Sequence, residues 1–147
     1  MSGSEDTVLF RRAPAGLPRR TLRAFASTLR DTVAGEREFV CLITDDRELR
    51  RLNLQFRGKD YATDVLSFPA GADSEDIGEI AISADRAAAQ AREFGHSLSD
   101  EIRILMLHGV LHLLGMDHEK DRGEMARAEA RWRRKLDLPS SLIARAS

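Results

Sequence analysis

The chain has 147 residues, 42% of them hydrophobic and 32% charged, with a formal net charge of −1 at pH 7 and a single cysteine. Such a chain folds as one domain with a real core and no internal disulfide, and its overall field does not draw it onto nucleic acid. No stretch approaches the ~20 apolar residues of a membrane span and no apolar leader opens the sequence, so a cytoplasmic location is expected, with residues 1–147 as a single domain and residues 1–7 and 139–147 as flexible termini.

In chain order, residues 8–12 read as a first strand at a sheet edge. Leu17-Pro18 opens a helix, proline suiting the first turn. Leu22, Phe25, Ala26, Leu29 and Val33 recur along it at helical spacing, with Gly35 as its stop. Residues 38–44 form a compact apolar strand in which Cys41 is a small core residue. Asp45 and Glu48 make a capping box for a helix whose Leu49, Leu52 and Phe56 share one face before Gly58. Residues 63–69 read as a strand that Pro69 ends. An acidic loop over 70–76 then leads to a strand over 77–83, a hairpin being the simplest connection. Ser83 caps an alanine-rich helix stopped by Gly95. Ser97 and Asp100 start the next helix, apolar nearly all round from Ile104 to Leu114 and therefore central and buried. Asp121 with Glu124 starts a last helix through Leu136, with Met125, Ala128, Trp132 and Leu136 facing inward. The order β-α-β-α-β-β-α-α-α predicts an α+β fold, a mixed sheet of about four strands with helices packed on it.

Three of the four histidines fall in one run, HGVLHLLGMDH, from His108 to His118. His108 and His112, four residues apart, share one helix face, their Cβ atoms about 5–6 Å apart. Gly115 is the residue type that ends a helix in the left-handed conformation, which lets the chain return with His118. Three neutral imidazoles leave a fourth position for water, the pattern of a catalytic zinc, one per chain. The spacing is that of the metzincin proteases, but their general base, the Glu after the first His, is replaced by Gly109. A helical glycine costs about 1 kcal/mol against alanine, so Gly109 calls for a steric reason; room beside the metal for a bulky charged substrate group is one. His96, outside the run, reads as a surface histidine. Arginines cluster at Arg11, Arg12, Arg19, Arg20 and Arg23, and again at Arg47, Arg50, Arg51 and Arg57 with Lys59; such clusters are ordinarily solvated faces.

From His108 to His118 the chain resembles the YbeY family of bacterial zinc-dependent endoribonucleases, whose metal motif is H-G-x-L-H-L-x-G-[YF]-D-H. A second block of that family is matched by RGKDYATDVLSFP, from Arg57 to Pro69, and a third, G-D-I-x-I, by GEIAI from Gly78 to Ile82. The resemblance runs over residues 39–136. Met116 stands where the family usually has an aromatic residue, and Glu79 where it has Asp.

The resemblance implies zinc on His108, His112 and His118, and Arg57 as the substrate-contacting or catalytic cation. It implies single-stranded RNA as substrate, in precursors of small-subunit (16S) rRNA, with the small ribosomal subunit and its assembly factors as partners and no membrane. By position alone Arg57 is equally a helix-end arginine complementing the dipole. Asp117 is either a carboxylate orienting an imidazole or the proton acceptor that Gly109 does not supply. Thr63 and Asp64 shape the loop-to-strand turn. Two other functions compete: a metallopeptidase-like amide hydrolase, against which Gly109 argues, and a non-catalytic ribosome-assembly factor whose zinc only ties helices together.

Overall fold

The structure, a computed structural model, describes residues 7–117 and 119–139. The expected flexible termini fall almost wholly outside those residues. Among the described residues nine elements follow in order: β1 (Val8–Phe10), α1 (Arg19–Asp31), β2 (Phe39–Thr44), α2 (Asp46–Arg57), β3 (Val65–Pro69), β4 (Gly78–Ser83), α3 (Ala84–Phe94), α4 (Leu98–Leu113) and α5 (Glu124–Lys135). One sheet of four strands runs in the spatial order β1-β2-β4-β3. β1, β2 and β4 are parallel and β3 returns antiparallel to β4, with Val65 opposite Ile82 and Pro69 opposite Gly78. The fold is α+β with a mixed sheet, and the β3–β4 connection is the expected hairpin.

Alternation sends the two faces of the sheet to different partners. Phe39, Cys41, Ile43, Ile80 and Ile82 join Leu22 and Leu29 of α1 and the apolar length of α4 in the main core. On the other face Leu66 and Ala81 meet Leu49 of α2, with Leu52 and Phe68 at the margin. Burial pushes the Cys41 thiol up to about 12, so it behaves as an inert apolar side chain. No helix among the described residues is long and apolar enough to cross a membrane.

The helix starts follow local hydrogen-bonding chemistry. Ser83 accepts from the Arg86 N–H at 3.1 Å and Ser97 from the Asp100 N–H at 3.0 Å. Asp45 accepts from the Glu48 N–H at 3.0 Å, but the Glu48 carboxylate does not complete a box. It takes Arg51 at 2.6 Å, with Arg11 and Arg12 at 3.7 and 3.9 Å, and these cations hold its carboxyl below the usual range, the Arg51 hydrogen bond foremost. At α5 the Asp121 carboxylate accepts from the N–H groups of Gly123 and Met125, both at 2.9 Å, so it caps from outside and the helix begins at Glu124. Phe56, on the helix face it shares with Leu49 and Leu52, is 58% exposed at the far end of α2, its ring edge-on to Phe68 at 5.3 Å.

Gly109 has a different reason from the one its place beside His108 suggests. A Cβ there would lie 2.9 Å from Cγ2 and 3.0 Å from Cδ1 of Ile80, a side chain of β4 that is 1% exposed. The glycine lets α4 lie close on the sheet, and its carbonyl takes the Ser67 hydroxyl of β3 at 3.2 Å. Room for a substrate is not what it provides.

Gly109→Ala is therefore expected to lower stability by about 1–3 kcal/mol through overpacking, although alanine favours a helix. Ile80→Val in the same chain should recover part of the loss. Urea unfolding of the two variants beside the parent checks both statements.

Candidate active site

The buried stretch of α4 from Ile104 onward meets a cleft of about 480 Å³, whose lining includes His108, His112, Arg57, Lys59, Ser67 and Asp117. The two histidines come from successive turns of one face, as their spacing requires. Their Nε2 atoms are 3.2 Å apart and their ring planes make an angle of 73°. Two ring nitrogens that close either share a proton or direct lone pairs at a common cation. Zinc–nitrogen bonds of about 2.0–2.1 Å at a tetrahedral angle place two nitrogens roughly 3.3–3.4 Å apart. The separation of the pair is therefore close to that of two ligands on one zinc ion.

Past α4 the chain turns at Gly115, with φ +96°. Its N–H donates to the His112 carbonyl at 2.9 Å, and the Met116 N–H to that of Leu111 at 3.1 Å. Met116 packs against the core and lines the cleft. The Asp117 carboxylate accepts from the Glu119 N–H at 3.0 Å and so shapes the loop that follows. His118 lies outside the described residues. Among those described, no three His, Cys, Asp or Glu side chains converge as a metal site.

The carboxylate on His108 comes from a helix the sequence did not single out. Glu129 of α5 places Oε1 2.8 Å from His108 Nδ1, while Arg133, 1% exposed, donates to its Oε2 at 2.8 Å. Arg133 also donates to the Pro139 carbonyl at 3.3 Å. Glutamate and arginine four apart on a helix form a common surface pair, so nothing in the local pattern marked this one as buried.

Arg57 ends α2, and Gly58 at φ +69° stops the helix there. The 2%-exposed Asn53 donates its side-chain N–H to the Tyr61 carbonyl at 2.9 Å, pinning the loop beyond. Asp64 takes the Val65 N–H at 2.7 Å and the Gln90 amide at 3.1 Å, the turn-shaping part read for it. On α2, Arg50 donates to Asp60 at 2.7 Å and Arg51 to Glu48. Among the described residues no carboxylate pairs with Arg57 or Lys59. The cleft thus combines two close imidazoles with two exposed cations and with the carboxylates of Asp64, Asp117 and Glu119. Glu79 of the third block is exposed on β4 and is absent from the cleft lining. His96 is half-buried and tilted against Phe94.

Comparison with known proteins identifies relatives of the whole chain. The family described as Endoribonuclease YbeY matches residues 16–137. The protein named Endoribonuclease YbeY from Solibacter usitatus is 61% identical over 99% of this chain and 98% of its own length. Its namesake from Koribacter versatilis is 51% identical over 94% of this chain and 90% of its own. The solution structure of a Thermotoga maritima protein matches with a TM-score of 0.59 at 30% identity, covering 85% of each chain.

Truncating Arg133 to alanine leaves the Glu129 carboxylate buried without its guanidinium, which should cost about 3–5 kcal/mol. Replacing both partners by apolar groups, Glu129→Leu with Arg133→Met, should restore most of that stability. Denaturant midpoints of the two variants give the comparison.

Proposed function

The chain belongs to the YbeY family of endoribonucleases, and from that premise we propose that it is a zinc-dependent endoribonuclease for single-stranded RNA, acting on small-subunit (16S) rRNA precursors in ribosome maturation and quality control. The observation that most supports the zinc is the 3.2 Å separation of the His108 and His112 Nε2 atoms. His118 completes the proposed ligand set. When bound, zinc supplies the Lewis acidity that lowers the pKa of a water to about 7. The small ribosomal subunit and its assembly factors are the proposed partners, in the cytoplasm.

The chain's own groups supply the rest. Arg57 presents a planar fork of donors that matches phosphoryl oxygens and stabilises the charge they gain during displacement. Lys59 adds a second cation along the RNA backbone. Asp117, half-buried on the cleft wall, is the proposed carboxylate for accepting a proton or steadying the third imidazole. The peptidase alternative needs a glutamate at the position of Gly109, and a side chain there would run into Ile80.

Two measurements test this reading. Purified parent protein should carry about one zinc per chain by elemental analysis and His112→Ala essentially none; full zinc in that variant would remove the three-histidine site. Arg57→Ala should keep fold and zinc but lose about 10²–10³ in rate on single-stranded RNA. The loss should appear at saturating substrate with less effect on binding, and lysine should rescue poorly, since a point charge does not reproduce the fork. A wild-type rate in Arg57→Ala would make that residue a helix-end arginine and nothing more.

A further inference from the structure

We propose that Glu129 is a positioning residue for the metal centre. Held by the buried Arg133, it fixes the ring and tautomer of His108 so that Nε2 offers its lone pair to the ion. This rests on the reading of His108 as a ligand and extends it to a second helix.

An ionised carboxylate only accepts hydrogen bonds, and a guanidinium only donates. With Arg133 donating to Oε2 at 2.8 Å, the partner that Oε1 needs 2.8 Å away is a proton on His108 Nδ1. A neutral imidazole carrying its proton on Nδ1 has its lone pair on Nε2, the atom 3.2 Å from His112 Nε2. Free histidine prefers the opposite tautomer, so the carboxylate selects the form a metal requires. It also sets the ring's rotation, because only one orientation satisfies Glu129 and faces His112 at once. Arg133 is tied in turn to the Pro139 carbonyl at 3.3 Å. The ring therefore hangs from a chain of hydrogen bonds anchored in α5 and the backbone beyond it. Partners of this kind are worth about 10–100-fold in metal affinity.

The experiment uses the full chain in three forms: the parent, Glu129→Leu/Arg133→Met, and Glu129→Gln/Arg133→Met. The paired changes avoid stranding a buried charge, and circular dichroism confirms that each form is folded. In zinc-free protein, long-range ¹H–¹⁵N correlation spectra report the His108 tautomer. Competition with a chromophoric chelator then gives the affinity for zinc alone. The parent should show Nδ1–H. The leucine form should shift toward Nε2–H and bind zinc about 10–100-fold more weakly. The glutamine form keeps a carbonyl oxygen for Nδ1–H, so it should retain the parent tautomer and lose less than tenfold. An unchanged tautomer in the folded leucine form overturns the proposal, whatever its affinity, and so does unchanged zinc affinity. If the parent itself binds no zinc, the ligand reading fails, while the tautomer comparison still decides whether Glu129 positions the ring.

Discussion

The closeness with which α4 lies on the sheet is the constraint from which the rest of the molecule follows. A helix apolar nearly all round has no preferred face, and hydrophobic burial, being non-directional, leaves its rotation about its own axis unset. Directional contacts help set it, among them Gly109 against Ile80 and the Ser67 hydroxyl on the Gly109 carbonyl. With that azimuth fixed, His108 and His112 emerge into the cleft and not into the core. The same glycine that a motif comparison treats as a missing catalytic glutamate is the packing contact that aims both imidazoles.

A helix so deeply enclosed leaves few ways to bring polar groups to its functional face. The solution is graded. The side chain of His108 is 28% exposed, that of Glu129 10% and that of Arg133 1%, so the polar chain runs from solvent into the core with a partner at each step. Stability alone does not account for an ion pair at that depth, since apolar residues of similar volume usually serve as well or better. The pair is accounted for by what it holds. α5 contributes one more turn of core through Met125 and Ala128 and, on the adjacent stripe, the support for a ring on α4.

What could be read from the sequence was what is local. Strand alternation, helix period, the hairpin and the serine caps depend on residues within a few positions of one another, and they stand close to where expected, β1 ending at Phe10, β3 starting at Val65 and α1 ending at Asp31, before Val33. The start of α5 moved from Asp121 to Glu124 because Asp121 caps across Gly123, whose φ of +96° lies outside any helix. The purpose of Gly109 was misread because Ile80 reaches it only through the tertiary fold. Glu129 and Arg133 escaped notice for the same reason: their spacing is that of a solvated pair until α4 closes over it. The family motif named the histidines and Arg57, and it was silent on the residues that orient them.

Composition also concealed how this chain meets a polyanion. Its 23 Lys and Arg are balanced by 24 Asp and Glu, and several of the cations that looked like a basic face are spent on neighbours: Arg51, Arg11 and Arg12 on Glu48, and Arg50 on Asp60. Beyond a Debye length of about 8 Å such pairs cancel in solution. At the cleft the cations left over are Arg57 and Lys59, and they share its lining with the carboxylates of Asp64, Asp117 and Glu119. Arg57 also sits on the last turn of α2, where helix carbonyls favour a cation but offset part of its outward field. Lys59 follows the left-handed Gly58, and its backbone N–H donates to the Asn53 carbonyl at 3.3 Å.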